Sequence, residues 1–519
     1  MVLVGALLRW PVATSSSFWT DEAEFLLIAR SPTVRALLDF LKLHESHPPL
    51  FYLVERVWIA ALGNSDSTAV ALPVLLGVTL IPAVYLIGRR MFSPWVGTCA
   101  AILVAANPFL SHFSGYARPY SLLPLLATAS AGCLWYGLKM GKTSAWITYS
   151  VVTSAMLLTH HWAWLVFAAE VFVTLGCVAL LKGHQERSFI GRWLGAATGV
   201  LVIYWWWLPS FLQQLRHAGH AARRGWTLDS PLYPFTEFAR VAIGVPPALA
   251  LLLLLLLVGV ACRRWRGRDG ATNTEDPLAL AVCVGVPLVS VSAAGALSGR
   301  TWLTPEYCLL IPAPLALLAV SRGLEVLAAR RSAVLLLSAT VALASIYLLT
   351  WFALANVGKS NSREFALALE RNVRPTDVLL VHPAFVAPSL NYYFHGTNAQ
   401  IDFPFLQRYD AIPYDNVADK VADPSTMQSV VSTLRDARME KRRVWFVTRC
   451  DWFAFPRAIP RAWVQQGLIT SDVPLLVTRL HELRDELRAL YGLPITGLIP
   501  QDRSMKREIL CAELYTPAP

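Results

Sequence analysis

The chain has 519 residues, 55% of them hydrophobic and only 15% charged, and its mean hydropathy is +0.47. Soluble domains average about 25% charged residues, so the composition excludes an ordinary soluble enzyme and points to runs of about 20 apolar residues that cross a bilayer. The net charge of +11 does not mark a nucleic-acid partner, because the basic residues lie in short loops between apolar runs and not on one soluble segment.

The first apolar stretch, residues 2–8, is too short to span. Either it is the remainder of a longer helix, or it borrows residues 11–18. No basic n-region with a small-residue cleavage site marks a signal peptide. A polar stretch over 19–66 holds Asp21, Glu22, Glu24, His44, Glu45 and His47. Its pieces 22–27 and 34–43 read as short amphipathic helices lying at the membrane surface. Spans are predicted at 68–87, 95–113, 119–138, 144–158, 162–181, 193–212, 239–261, 278–297, 303–320 and 333–353, which with the incomplete first makes about 11.

Charge gives these spans a direction. Alternate connections carry Arg89 and Arg90; Lys139 and Lys142; Lys182, Arg187 and Arg192; Arg263 to Arg268; and Arg322, Arg330 and Arg331. The positive-inside rule makes that side the cytoplasm. The outer side then holds the first loop (10–67), Arg118, His160 with His161, the basic loop 216–224, and Arg300 to Glu306. By parity the tail, 356–519, also lies outside. It contains helical patterns at 363–372 and 425–441 and β-type runs at 377–382 and 443–448, so it reads as a small α/β domain. The tail has no phosphate-loop or dinucleotide glycine pattern. The predicted fold is a polytopic α-helical membrane protein, 1–355, with this extracytoplasmic domain at its carboxy end. Of eight cysteines, Cys450 and Cys511 alone fall in the tail; exported domains permit a disulfide, but no spacing signature demands one.

The ionisable residues of the outer side are the candidates for chemistry. Asp21 and Glu22 suit a general base if burial and neighbours tune them; they equally suit the acidic first turn of a helix capped by Thr20. His47, before Pro48 and Pro49, is placed either to donate to a phosphate or carboxylate or simply to occupy a turn. Arg118, in Tyr116-Ala117-Arg118-Pro119-Tyr120, is either a phosphate ligand or an interfacial anchor. His160 and His161 end a span; adjacent helical side chains diverge by about 100°, which makes them a poor metal pair by themselves. Arg300, Glu306 and Tyr307 either face the same cavity or terminate helices. Asp21, Glu22, Glu24, His44 and His47 supply enough oxygen and nitrogen for a divalent metal ion, but their spacing matches no standard site, and no cofactor is assigned.

The motifs Trp19-Thr20-Asp21-Glu22-Ala23 and His47-Pro48-Pro49-Leu50-Phe51-Tyr52 resemble the first outer loop of GT-C type membrane glycosyltransferases, in the protein O-mannosyltransferase and aminoarabinose-transferase-like branch. Ala117-Arg118-Pro119-Tyr120-Ser121-Leu122, Leu158-Thr159-His160 and Pro305-Glu306-Tyr307-Cys308-Leu309-Leu310 resemble further signatures. Arg363-Glu364-Phe365, Asp377 to Val381 and Tyr392-Tyr393 resemble the extracytoplasmic segment. The resemblance covers scattered motifs up to about residue 395. Two positions depart from it: Tyr116 stands where members often carry an acid, and Glu306 where many carry Arg.

The resemblance implies a sugar donor on polyprenyl phosphate and transfer, usually inverting, to a glycan, lipid or protein acceptor at the outer face of the plasma (inner) membrane. It implies that Asp21 is the general base with Glu22 as its partner, and that Arg118 and His47 lie near the lipid phosphate. Tyr120, His160, His161, Arg300, Glu306 and Tyr307 are further candidates for that donor-binding set. The rival reading is a transporter or lipid flippase, which predicts interrupted helices, midplane charges and matched repeats; the sequence shows no repeat and gathers its charges at one face.

Overall fold

A computed structural model describes residues 1–45, 47–180, 184–218, 235, 238–241, 277–298, 309–328, 340, 344, 346–348, 358–411, 417–457, 459, 473–498 and 508–517. The chain divides into two compact units. One comprises Met1–Thr14, His47–Leu215 and Leu228–Ala355; the other comprises Ser15–Ser46, Arg216–Thr227 and Asn356–Pro519.

The first unit is helical. Val2–Thr14 forms one helix through Pro11, so the short apolar start does draw on the residues after it. Asp66–Met91, Leu122–Met140, Thr143–Leu157 and Ala163–Leu180 fall on predicted spans. Among the described residues two helices are long and apolar enough to cross a membrane, Asp66–Met91 and Ile190–Gln214; Val2–Thr14 and Pro94–Ala106 are apolar but shorter. The run expected as one span at 95–113 is broken into Pro94–Ala106 and Pro108–Phe113. Asn107 makes the break: its side chain accepts from the Leu110 N–H at 2.9 Å, and Pro108 occupies the first helical turn. The predicted spans 239–261 and 333–353 lie mostly outside the described residues, as does the start of 303–320.

Small residues and buried polar groups join these helices. A Cβ on Gly88 would lie 3.0 Å from the Gly97 Cα, and one on Gly97 would lie 2.6 Å from the Tyr85 carbonyl, so only glycine permits this approach. Arg9 is fully buried and donates to the carbonyls of Ala105 and Val104 at 3.0 and 3.1 Å. It thereby satisfies the carbonyl end of Pro94–Ala106. Glu170, also fully buried, accepts from Ser130 and Tyr149 at 3.0 Å each, which ties three helices together.

The second unit is α/β. Its sheet comprises β1 (Val378–Val381), β2 (Ala399–Asp402), β3 (Val444–Arg449), β4 (Thr496–Leu498) and β5 (Leu510–Tyr515), in the order β2-β1-β3-β5-β4. β1 runs parallel to β2 and β3, while β5 runs antiparallel to β3 and β4. The pleat sends Leu380, Val444 and Phe446 to one face, against Leu434, Leu480 and Leu487. It sends Leu379, Val381, Trp445 and Val447 to the other, against Phe365, Leu369 and Leu390. A Cys450–Cys511 disulfide, with Cα atoms 5.2 Å apart, links the end of β3 to β5.

The loop segment 15–46 belongs to this second unit. Its helix Thr20–Ala29 was expected as a surface amphipath; instead Thr20, Glu22, Ala23, Glu24, Phe25, Leu26, Ile28 and Ala29 are all buried, and it packs against the helix Ala387–Tyr393. Val34–His44 keeps the expected half-exposed character, with Leu37 and Leu41 as its buried stripe.

Candidate active site

In the helical unit the structure brings His47, Arg118 and His160 together. His47 precedes two prolines and the helix Leu50–Leu62. The Leu50 N–H donates to the Leu158 carbonyl at 2.9 Å, which ties this segment to the turn carrying His160. Arg118 NH2 donates to His47 Nε2 at 3.4 Å, and the His47 and His160 rings meet edge to face at 4.9 Å. The Trp162 N–H donates to His160 Nδ1 at 3.2 Å, which leaves Nε2 as the protonated nitrogen of a neutral ring. Arg118 and His160 are 7% and 6% exposed.

Burial pushes the His160 imidazole well below its usual range, and His47, His161 and Arg118 push it the same way. A buried guanidinium beside two imidazoles is a site short of negative charge. The chemistry suited to it is a phosphate oxygen, which would accept from the guanidinium and both rings.

His161 turns elsewhere. Its Nε2–H donates to Gln214 Oε1 at 2.8 Å, and its ring lies 4.9 Å from Phe211. Tyr120 joins an aromatic group with Phe113 and Tyr116, at 5.7 and 6.3 Å. Tyr116, at the position of the missing acid, pairs its hydroxyl with His112 Nε2 at 3.1 Å. Arg300, Glu306 and Tyr307 lie outside the described residues.

In the α/β unit Asp21 is the second residue of the helix Thr20–Ala29 and is half-buried. Trp19, not Thr20, holds the capping position. The Thr20 hydroxyl instead donates to Glu508 Oε2 at 2.6 Å. Glu22 is fully buried and accepts from Lys359 Nζ at 2.9 Å. Burial raises the Glu508 carboxyl above its usual range, against the lowering effect of the Thr20 and Ser389 hydroxyls.

Neither Lys359 nor Glu508 stands out in the sequence. Lys359 opens a Lys-Ser-Asn-Ser run that reads as an ordinary loop, and Glu508 lies 488 positions from Thr20. Among the described residues no three His, Cys, Asp or Glu side chains are grouped to hold a metal ion.

The family profile described as dolichyl-phosphate-mannose-protein mannosyltransferase matches residues 46–207, a stretch that contains His47, Arg118, Tyr120, His160 and His161. Three solved structures, of two proteins, show the same fold over most of the chain. The ArnT protein of Cupriavidus metallidurans in the apo state superposes with a TM-score of 0.57 at 14% identity, over 87% of this chain and 93% of that one; the same protein has been solved bound to undecaprenyl phosphate, with a TM-score of 0.53 at 13% identity. The archaeal oligosaccharyltransferase AglB of Archaeoglobus fulgidus, in complex with an inhibitory peptide and a dolichol-phosphate, superposes with a TM-score of 0.53 at 13% identity, over 92% of this chain and 71% of that one. No curated protein matches the sequence. Profile and fold together bear out the resemblance to GT-C type membrane glycosyltransferases of the mannosyltransferase and ArnT-like branch.

Proposed function

We propose that this chain is a membrane glycosyltransferase that moves a sugar from a polyprenyl-phosphate-linked donor to an acceptor at the outer face of the membrane, with inversion. The observation that carries the reading is the His47–Arg118–His160 group, with Arg118 and His160 buried and His47 half-buried, which lies within the segment matched to the mannosyltransferase profile. The lipid phosphates bound to ArnT and AglB support the donor class.

The proposed reaction needs two things from the protein. Asp21 accepts the proton of the acceptor hydroxyl as its oxygen attacks the anomeric carbon. The bond from that carbon to the phosphate oxygen breaks through an oxocarbenium-like transition state. Its electron pair leaves on the lipid phosphate, and Arg118 with His47 and His160 stabilises the anion. A phosphate is a good leaving group, so no strong acid is required. The Cys450–Cys511 disulfide supports an extracytoplasmic location for the tail, since such bonds persist in oxidising compartments.

The test is a screen with the reconstituted protein, beginning with polyprenyl-phosphate mannose. One donor should release polyprenyl phosphate as its sugar appears on an acceptor with inverted anomeric configuration. A retained configuration, or no release from any such donor, counts against the reading.

A second reading, a transporter or flippase, draws on Glu170, because a buried carboxyl within a helical bundle often marks a transport path. Its two hydroxyl donors favour a structural fastener instead. Lipid translocation in proteoliposomes without any sugar transfer would favour the second reading.

A further inference from the structure

Thr20 and Glu22 flank Asp21, and both are anchored by buried charged groups. Thr20 donates to Glu508 Oε2 at 2.6 Å, and Lys359 Nζ donates to Glu22 Oε1 at 2.9 Å. The four anchoring residues are at most 4% exposed, whereas Asp21 between them is half-buried. On a helix successive side chains diverge by about 100°, so Thr20 and Glu22 point about 200° apart. Holding both fixes the rotation of the helix about its axis, and with it the direction of Asp21.

The same mount holds the chain leading into the helix. Ser17 and Ser360 form an antiparallel bridge, and Ser360 and Glu508 a parallel one, so three extended segments lie side by side. The Lys359 N–H donates to Ser16 Oγ at 2.9 Å, the Ser17 hydroxyl to Glu364 at 2.9 Å, and the Phe18 N–H to the Tyr393 hydroxyl at 3.0 Å. The Ser360 and Ser362 hydroxyls donate to the other oxygen of Glu508 at 3.5 and 3.4 Å. A stretch that only needed covering would be met by apolar contacts. Here, two buried charges and a row of hydroxyls fix it residue by residue.

We infer that Glu508 and Lys359 are positioning residues for Asp21, and that the carboxy-terminal domain serves the reaction by holding the loop that carries the base. The inference rests on the proposed role of Asp21. It makes the tail an integral part of the catalytic apparatus, with no acceptor-binding role required of it.

The test compares Thr20→Val, which keeps shape but removes the donor, with Thr20→Ser, which keeps the donor. It uses full-length protein and polyprenyl-phosphate mannose, or the donor found active in the screen. A misplacement of about 1 Å costs up to about 100-fold in rate. Thr20→Val should therefore lower kcat by about 10- to 100-fold with donor KM within about threefold of wild type, and Thr20→Ser should recover most of the loss. Lys359→Met, which acts on the other anchor, should show the same split, and Lys359→Met/Glu22→Gln, which strands no buried charge, stands in if Thr20→Val does not fold. Wild-type kcat in Thr20→Val or Lys359→Met overturns the inference, as does equal damage from Thr20→Ser and Thr20→Val. Asp21→Asn assayed alongside separates the two proposals: an active Asp21→Asn defeats the role of Asp21 itself, whereas an inactive one beside fully active anchor variants defeats the mount alone.

Discussion

The Lys359 ammonium lies 2.9 Å from Glu22 Oε1, with the lysine side chain 3% exposed and the carboxylate fully buried. Two charges removed from water gain little net stability from each other, but either one left alone is costly. Lys359→Met should therefore destabilise the α/β unit by about 3–5 kcal/mol. Adding Glu22→Gln should recover much of that loss, because it removes the stranded charge. Thermal melting of the single and double variants measures both; additive losses would contradict the pairing.

Arg118 is the permanent charge of the cation group. Arg118→Ala should weaken polyprenyl phosphate binding by at least about tenfold, the order expected for a charge-assisted hydrogen bond worth about 1.5–3 kcal/mol. Arg118→Lys should restore binding in part, since it keeps the charge and loses the fork. Burial and nearby cations hold His160 well below its usual range, and a bound anion reverses the second influence. Binding then favours uptake of a proton, so a phosphodiester-linked donor, whose phosphate does not itself titrate here, should bind more tightly as pH falls. His160→Gln should flatten that slope, as read by ligand depletion between pH 5 and 8.

The disulfide between Cys450 and Cys511 closes a loop of 61 residues. On the chain-entropy account its loss costs about 4 kcal/mol. The Cys450→Ser/Cys511→Ser variant should melt correspondingly lower. A cysteine placed at an exposed tail position of that variant should label from the exterior of intact cells. Labelling only after permeabilisation would contradict the outer location.

Asp402 and His382 set opposing pH dependences in the α/β unit. Asp402 is fully buried and its carboxyl is pushed up to about 7, chiefly by burial. The folded state keeps a proton that the unfolded state gives up from about pH 4 upward, so this group's contribution falls by about 1.4 kcal/mol per unit as pH rises to 7. His382 is pushed down to about 4 by burial. Its contribution is lost as pH falls from about 6.5 to 4, because there the unfolded state binds the extra proton. The two trends cancel over much of that window. Asp402→Asn should uncover the histidine, giving a unit that loses stability on acidification from pH 6.5 to 4. Amide exchange in β1 and β3 at each pH follows it; a flat profile in the variant would contradict the opposition.

Different physics made some parts legible in the sequence and hid others. β1 and β3 are continuous apolar runs between turns, the pattern of strands buried on both faces, and both are where the pattern puts them. β2 carries Gln400 and Asp402 and β5 carries Glu513, so neither has a clean apolar pattern. The helix Val473–Tyr491 was not anticipated either. The break at Asn107-Pro108 was readable as a cap followed by a first-turn proline, but the apolar run on either side masked it. Charge parity placed His47, Arg118 and His160 on one side of the membrane, yet parity carries no distances. Thr20–Ala29 misled most: its polar first turn suggested an exposed loop helix, while its partners Lys359, Ser389 and Glu508 lie more than 330 positions away.

The proposed transfer stands or falls with Asp21. Asp21→Asn keeps the size of the side chain and removes its ability to take a proton, and general-base catalysis contributes about 10²- to 10⁴-fold. In proteoliposomes supplied with a polyprenyl-phosphate-linked sugar, the variant should lose at least about 100-fold in kcat while binding polyprenyl phosphate and melting as the wild type does. Near-wild-type turnover by folded Asp21→Asn would contradict the account.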